Sequence, residues 1–198
     1  MSSKTEIANR VLSKCGDRRV SNIETDPSER AQVINSMYDF VRDALLTKYP
    51  WNFAIERKQL AADANAPAWG YSKKYKLPTD FLSLLYIKNH PDYRIEGGYI
   101  LTDEGAPIYI KYVKKITSEG LFDPLFSEAF ACELAVECSE RINGSNTKKQ
   151  ILAQQRDEAM KMAFMNDAIQ DPPQRRMDDE WLLSRESSSV YDDINYNV

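Results

Sequence analysis

The one histidine, His90, lies between Asn89 and Pro91, with no cysteine or second histidine at ligand spacing. A metal centre needs several such donors converging on one point, so none is expected here. The three cysteines, Cys15, Cys132 and Cys138, are odd in number and widely spaced, which argues against a disulfide framework and for a reducing cytoplasm. Cys15 and Cys132 fall on apolar helical stripes, where cysteine acts as a small hydrophobe. No phosphate-cradling glycine loop or nucleophile elbow occurs; Gly97-Gly98 reads as a hairpin turn. Two carboxylates could flank a glycosidic bond, and acids are plentiful, but Glu133, Glu137 and Glu140 read as the solvated face of a helix. The expected chemistry is contact and not catalysis, with no cofactor.

Contact chemistry is richer. Between residues 71 and 115, Lys73, Lys74, Lys76, Lys88, Arg94, Lys111, Lys114 and Lys115 outnumber Asp80, Asp92, Glu96, Asp103 and Glu104. Tyr71, Tyr75, Tyr86, Tyr93, Tyr99, Tyr109 and Tyr112 interleave with them. Aromatic residues are enriched at interfaces, and lysines also blunt sheet edges; the two readings are compatible. Charge is uneven along the chain. From Asp171 onward seven acids face three bases, a net −4 that equals the charge of the whole chain, so residues 1–170 sum to zero. A neutral body argues against tight nucleic-acid binding.

These residues need elements to hold them. Ile7, Ala8, Val11, Leu12 and Cys15 recur at helical spacing up to Gly16. A second helix starts at Asp26-Pro27-Ser28-Glu29, with Asp26 as cap and Pro27 at the first helical position. Its stripe is Ala31, Ile34, Met37, Tyr38, Val41, Ala44 and Leu45, and Pro50 ends it. Residues 51–116 turn to aromatic and branched segments with turn signals between them. Tyr93–Ile95, Gly97-Gly98 and Tyr99–Leu101 form a tight hairpin. A third helix spans about 127–143. A fourth spans about 146–168, with Ile151, Leu152, Ala159, Met162, Ala163 and Ile169 facing inward, and Asp171-Pro172-Pro173 ends it. The order predicts an α+β fold: a four-helix bundle of two helical hairpins (1–50 and 117–170), with a small, mostly antiparallel sheet inserted between helices two and three (51–116). A C-terminal tail follows at 171–198. That tail is acidic and without sustained period, yet it carries Trp181, Leu182, Leu183, Tyr191, Ile194 and Tyr196, more large apolar groups than a solvated linker uses. No run approaches the roughly 20 apolar residues of a membrane span, and Met1–Glu6 has no apolar signal core behind it.

One stretch resembles a known family. Leu45-Leu46-Thr47-Lys48-Tyr49-Pro50-Trp51-Asn52-Phe53-Ala54 continues through Arg57 and Leu60-Ala61, followed by Tyr75-Lys76-Leu77-Pro78-Thr79-Asp80-Phe81-Leu82. This is similar to the tail tubular protein A family, the head-to-tail adaptors of short-tailed bacteriophages (podoviruses). The likeness covers about residues 5–116; helices three and four agree in position only, and the tail barely. Physically the motif residues are fold residues: Pro50 breaks a helix, and Trp51 and Phe53 bury rings where helix turns into strand.

The resemblance implies a structural virion protein at the head-to-tail interface, assembled in the host cytoplasm. It implies a homo-oligomeric ring, a dodecamer in the family, below the portal protein, extending the channel through which double-stranded DNA passes and seating the tail nozzle protein. On that footing Trp181, Leu182, Leu183, Tyr191, Ile194 and Tyr196 are expected to bind the portal. His90, Tyr93, Arg94, Gly97, Gly98 and Tyr99 would meet the nozzle, and Arg30, Arg42, Glu133 and Glu137 would form lateral ring contacts. A cell-wall glycoside hydrolase acting at infection is the enzymatic alternative; a regulatory binding module is a third.

Overall fold

The protein is described by a computed structural model covering residues 3–170. The first helix, α1 (Lys4–Cys15), begins where the Ser3 hydroxyl accepts the Glu6 N–H at 3.2 Å and stops at Gly16, whose φ of 73° returns its N–H to the last turn. Lys148, near the start of the last helix, donates to the carbonyl of Cys15 and ties the two elements together. Helix α2 (Glu29–Lys48) starts later than the Asp26-Pro27 signal suggests. Ser28 occupies the cap position, and Asp26 instead accepts the Ser28 N–H at 2.9 Å, closing a turn ahead of the helix. Pro50 drives Tyr49 into extended backbone and ends α2. Helix α3 (Pro124–Asn143) has Pro124 at its start and Asp123 as cap, accepting the Leu125 N–H at 2.8 Å; Gly144 stops it in the left-handed region. Helix α4 runs Asn146–Gln170.

The expected four-helix bundle with one inserted sheet is overturned on both counts. The helices do not form a bundle: α1, α2 and α4 each pack chiefly on α3. The reason lies in α3 itself, where Phe126, Ala129, Phe130, Ala131, Cys132, Leu134, Ala135, Val136, Cys138 and Ser139 are all buried. A helix apolar on most of its circumference is a central element, not one stave of a ring of four. The strands that follow α2 make two sheets where one was expected. β1 (Ile55–Leu60), β6 (Ile108–Lys114) and β3 (Phe81–Ile87) form one antiparallel sheet in the order β1-β6-β3. β2 (Lys73–Lys76), β5 (Tyr99–Thr102) and β4 (Tyr93–Glu96) form the other in the order β2-β5-β4.

The two faces of the first sheet serve different cores. Val113 of β6 with Leu82 and Leu85 of β3 close the helical core, whereas Leu60, Ile87, Ile108, Ile110 and Tyr112 pack with Tyr75 and Ile100 of the second sheet. Strand alternation makes this possible. β3 irregularities at Phe81/Ser83 and Leu84/Tyr86 re-aim its side chains, so that Leu85 joins the helical core while Tyr86 turns outward.

The motif residues sit at the joint between helices and sheet. Trp51 is 1% exposed, donates its indole N–H to the Leu45 carbonyl at 3.1 Å, and meets Phe126 at 4.9 Å and Phe164 at 5.2 Å between ring centroids. Asn52 donates its backbone N–H to Asp167 Oδ1 at 2.9 Å and its amide to the Asp167 carbonyl at 2.7 Å, fastening the end of α4 to the entry of β1. In the second motif, Tyr75 is fully buried with its hydroxyl on the Glu104 carbonyl. Asp80 accepts the Tyr112 hydroxyl at 3.1 Å and shares the Lys114 ammonium with Glu56. Both stretches hold the fold.

Candidate interaction surfaces

One concave surface lies on the outward part of the β1-β6-β3 sheet. Register places Arg57 of β1 beside Lys111 of β6, and Lys111 beside Tyr86 of β3; Gln59 pairs with Tyr109, and Lys88 donates its N–H to the Tyr109 carbonyl. These six residues line a trough of about 430 Å³ together with Lys58 and Ile110. Its lining holds four cations and, among the described residues, no acid. The cations are partly pre-positioned: the Lys88 ammonium stands 5.3 Å from the Tyr109 ring centroid and Lys111 5.9 Å from that of Tyr86. Arg57, Tyr86, Lys88 and Tyr109 are exposed and Lys111 is half-buried. The sequence already placed Tyr86, Lys88, Tyr109 and Lys111 in a contact region. Only the register adds Arg57 and Gln59 and puts all six on one face.

The hairpin tip expected at Gly97-Gly98 is present. Glu96 pairs with Tyr99, and both glycines have positive φ, 56° and 82°, as a two-residue turn of this twist requires. Every residue of β4 is exposed, so Tyr93 and Arg94 face outward, while Tyr99 is half-buried with Lys74 over its ring at 4.9 Å. His90 is exposed at the far end of β3, its ring 5.7 Å from that of Tyr86, and it borders the trough more closely than the hairpin tip. The structure thus keeps Tyr93, Arg94, Gly97 and Gly98 together and sets His90 toward the neighbouring surface.

On the helical side the expected ring positions divide. Arg42 is inside: its side chain is 4% exposed and its guanidinium is held at 2.8 Å by Asp39 and by Asp43. Asp43 also reaches Lys115, so this network braces α2 against the exit of β6. Arg30 is half-buried on Asp17 at 2.9 Å and fixes the loop after α1. Glu133 is largely covered and faces Arg156 of α4 at 3.7 Å. Glu137 is exposed. With Glu133 it floors a hollow of about 220 Å³ walled by Phe40, Ala44 and Lys48 of α2. Lys48 continues into a second hollow of about 410 Å³ lined by Met160, Phe164 and Met165 together with Arg156, Asp157 and Lys161 of α4.

This flank is more apolar than expected. Phe40 is 72% exposed, and Ile151, Met162, Met165 and Ile169 are exposed along α4. Ile151, Met162 and Ile169 were expected to face inward. Leu152 and Ala163 are buried as expected, and Met160 and Asp167 complete the buried stripe of α4. Apolar residues occur on several sides of α4, so its spacing alone leaves the inward face undecided. Phe40 lies off the apolar stripe of α2, so periodicity gives no sign of it. All three cysteines are buried, and burial pushes the Cys138 thiol up to about 12.

Among the described residues no group of histidine, cysteine and acidic side chains is arranged to hold a metal, and no helix is long and apolar enough to cross a membrane. Trp181, Leu182, Leu183, Tyr191, Ile194 and Tyr196 lie outside the described residues. Compared with known protein families and with curated proteins, the chain matches none.

Proposed function

We propose that the protein is a structural head-to-tail adaptor of a short-tailed bacteriophage: a homo-oligomeric ring, dodecameric by the resemblance, between portal and tail nozzle, with double-stranded DNA passing through it. The observation that carries this reading is the Tyr49–Ala54 joint. The residues that resemble the adaptor family are the ones on which α2, α3, α4 and β1 converge. The likeness therefore falls on the framework of the fold and not on an interchangeable surface. Exposed Phe40 and Met165, which border two hollows joined at Lys48 and rimmed by charged residues, support an assembling role, since large apolar side chains in a polar-rimmed hollow suit a partner's contact. A ring requires two different faces of each subunit to meet around a closed circle. The α2–α4 flank supplies one face, the β4–β5 hairpin tip points to the nozzle, and residues 171–198 carry the anchors for the portal.

The test is the molar mass of the purified protein alone and with the portal of its own phage. A large, closed complex with the portal is the expected result. A subunit that stays monomeric beside the portal and clears peptidoglycan, with the clearing lost on changing one carboxylate, would replace this reading with the glycoside hydrolase.

A further inference from the structure

The trough on the β1-β6-β3 sheet has a chemistry that neither the ring contacts nor the hairpin tip uses. We propose that it is a nucleic-acid backbone site: Arg57, Lys88 and Lys111, with Lys58 at the sheet edge, take the phosphates of duplex DNA, while Tyr86 and Tyr109 set the positions of the lysine ammonium groups. Three observations converge on this. The lining is cationic with no acid among its described residues, inside a body whose residues 1–170 carry no net charge. This is a local concentration of charge, which summed charge conceals. Both tyrosine rings lie under lysines, at 5.3 Å and 5.9 Å. Each ring thus has a cation over it, which favours phosphate contact without sequence preference over a single-strand stacking platform. Finally, the trough is open and spans three strands, the form of a surface for a long polymer more than of a pocket that encloses a small anion.

Three to four phosphate contacts make a weak, steeply salt-dependent site. Counterion release gives a slope of log K on log salt of about −2.7 to −3.6, or about 40- to 150-fold weaker binding between 50 and 200 mM salt. Such a surface touches DNA without holding it. The site belongs to the single subunit and does not depend on ring assembly. Failure of the adaptor reading would leave it standing, and its own failure would leave the ring untouched.

The experiment is a salt titration of the full chain against a short labelled duplex of arbitrary sequence, read by fluorescence anisotropy. Changing Lys88→Gln and Lys111→Gln together is expected to reduce the slope by about 1.8 and to weaken binding equally on every sequence. Lys88→Arg with Lys111→Arg should retain the slope, and Lys73→Gln with Lys76→Gln on the other sheet should leave it unchanged. Tyr109→Leu should weaken binding several-fold at constant slope. A slope unaltered by the Gln pair, or one lost equally in the Arg pair, overturns the proposal. Displacement of the duplex by polyglutamate at matched charge concentration also overturns it, by assigning the trough to an acidic polypeptide.

Discussion

Trp51 and Trp69 are the same residue type in opposite circumstances. Trp51 is 1% exposed among the rings of Tyr49, Phe53, Phe126 and Phe164, whereas Trp69 is 87% exposed. Removing Trp51 leaves a large cavity and takes the indole hydrogen bond from the Leu45 carbonyl, so Trp51→Ala should cost about 3–5 kcal/mol. Trp69→Ala should stay within about 0.5 kcal/mol. Urea unfolding of the two variants measures both; equal effects would mean that the ring cluster is not the centre of the fold. Titration behaviour belongs to this scale too. Burial raises the Cys138 thiol from its ordinary 9.0 to about 12, and burial beside Glu119 and Asp80 raises the phenols of Tyr38 and Tyr112 above their ordinary 10.0. In each case the folded state keeps a proton that the unfolded chain has released. The contribution of these groups to stability is therefore full below about pH 9 and is lost as pH rises toward 12. Cys138 contributes at most roughly 1.4 kcal/mol per pH unit within its window. Cys138→Ala should lessen the earliest part of that loss, to which the buried thiols of Cys15 and Cys132 also contribute from pH 9, visible in melting curves collected up the alkaline range.

At the scale of elements, the β4–β5 hairpin gives the sharpest expectation. Gly98 has φ of 82° and open space around its would-be Cβ. The cost of a side chain there is backbone strain and not collision. Gly98→Val should destabilise the hairpin by about 1–2 kcal/mol, seen as faster amide exchange in β4 and β5, while α1–α4 keep their protection. Under the adaptor reading, deleting Gly97-Gly98 should yield filled heads that carry the adaptor and lack the nozzle. Heads without adaptor would remove the hairpin from that role. Hairpin and helix stops were legible in sequence because both depend on short-range backbone geometry: Gly16 adopts the left-handed conformation its position suggested. The start of α2 was less so, because Asp26 could either cap a helix or close a turn before it, and Ser28 was available to take the cap.

For the whole molecule, the question is which surface assembles. Glu133 and Arg42 are engaged within the subunit, so reversing their charge would disturb folding as well as contact. Glu137 and Phe40 are exposed and wall the same hollow. Glu137→Lys combined with Phe40→Ser is the cleaner test. We expect loss of ring formation in light scattering with a melting temperature within a few degrees of the parent, since surface changes of this kind usually alter stability by about 0.5 kcal/mol or less. Rings that form normally would place the lateral contact elsewhere.

The amino-acid order by itself determined where helices end, where the hairpin turns, and that Tyr49–Ala54 and Tyr75–Leu82 are framework, because proline, glycine, caps and aromatic clusters act over a few residues. It also told of a contact region rich in lysine and tyrosine. Only the tertiary structure decided that α3 is a hub and the helices not a bundle, that the strands divide into two sheets, and that α4 turns Ile151, Met162 and Ile169 outward. Those outcomes depend on pairings between residues far apart in the chain. The partner of β6 on either side, and hence which cations share a face, is set by competition among strands of similar pattern. Periodicity says that an element has an apolar side; only the neighbour that covers it says which side that is.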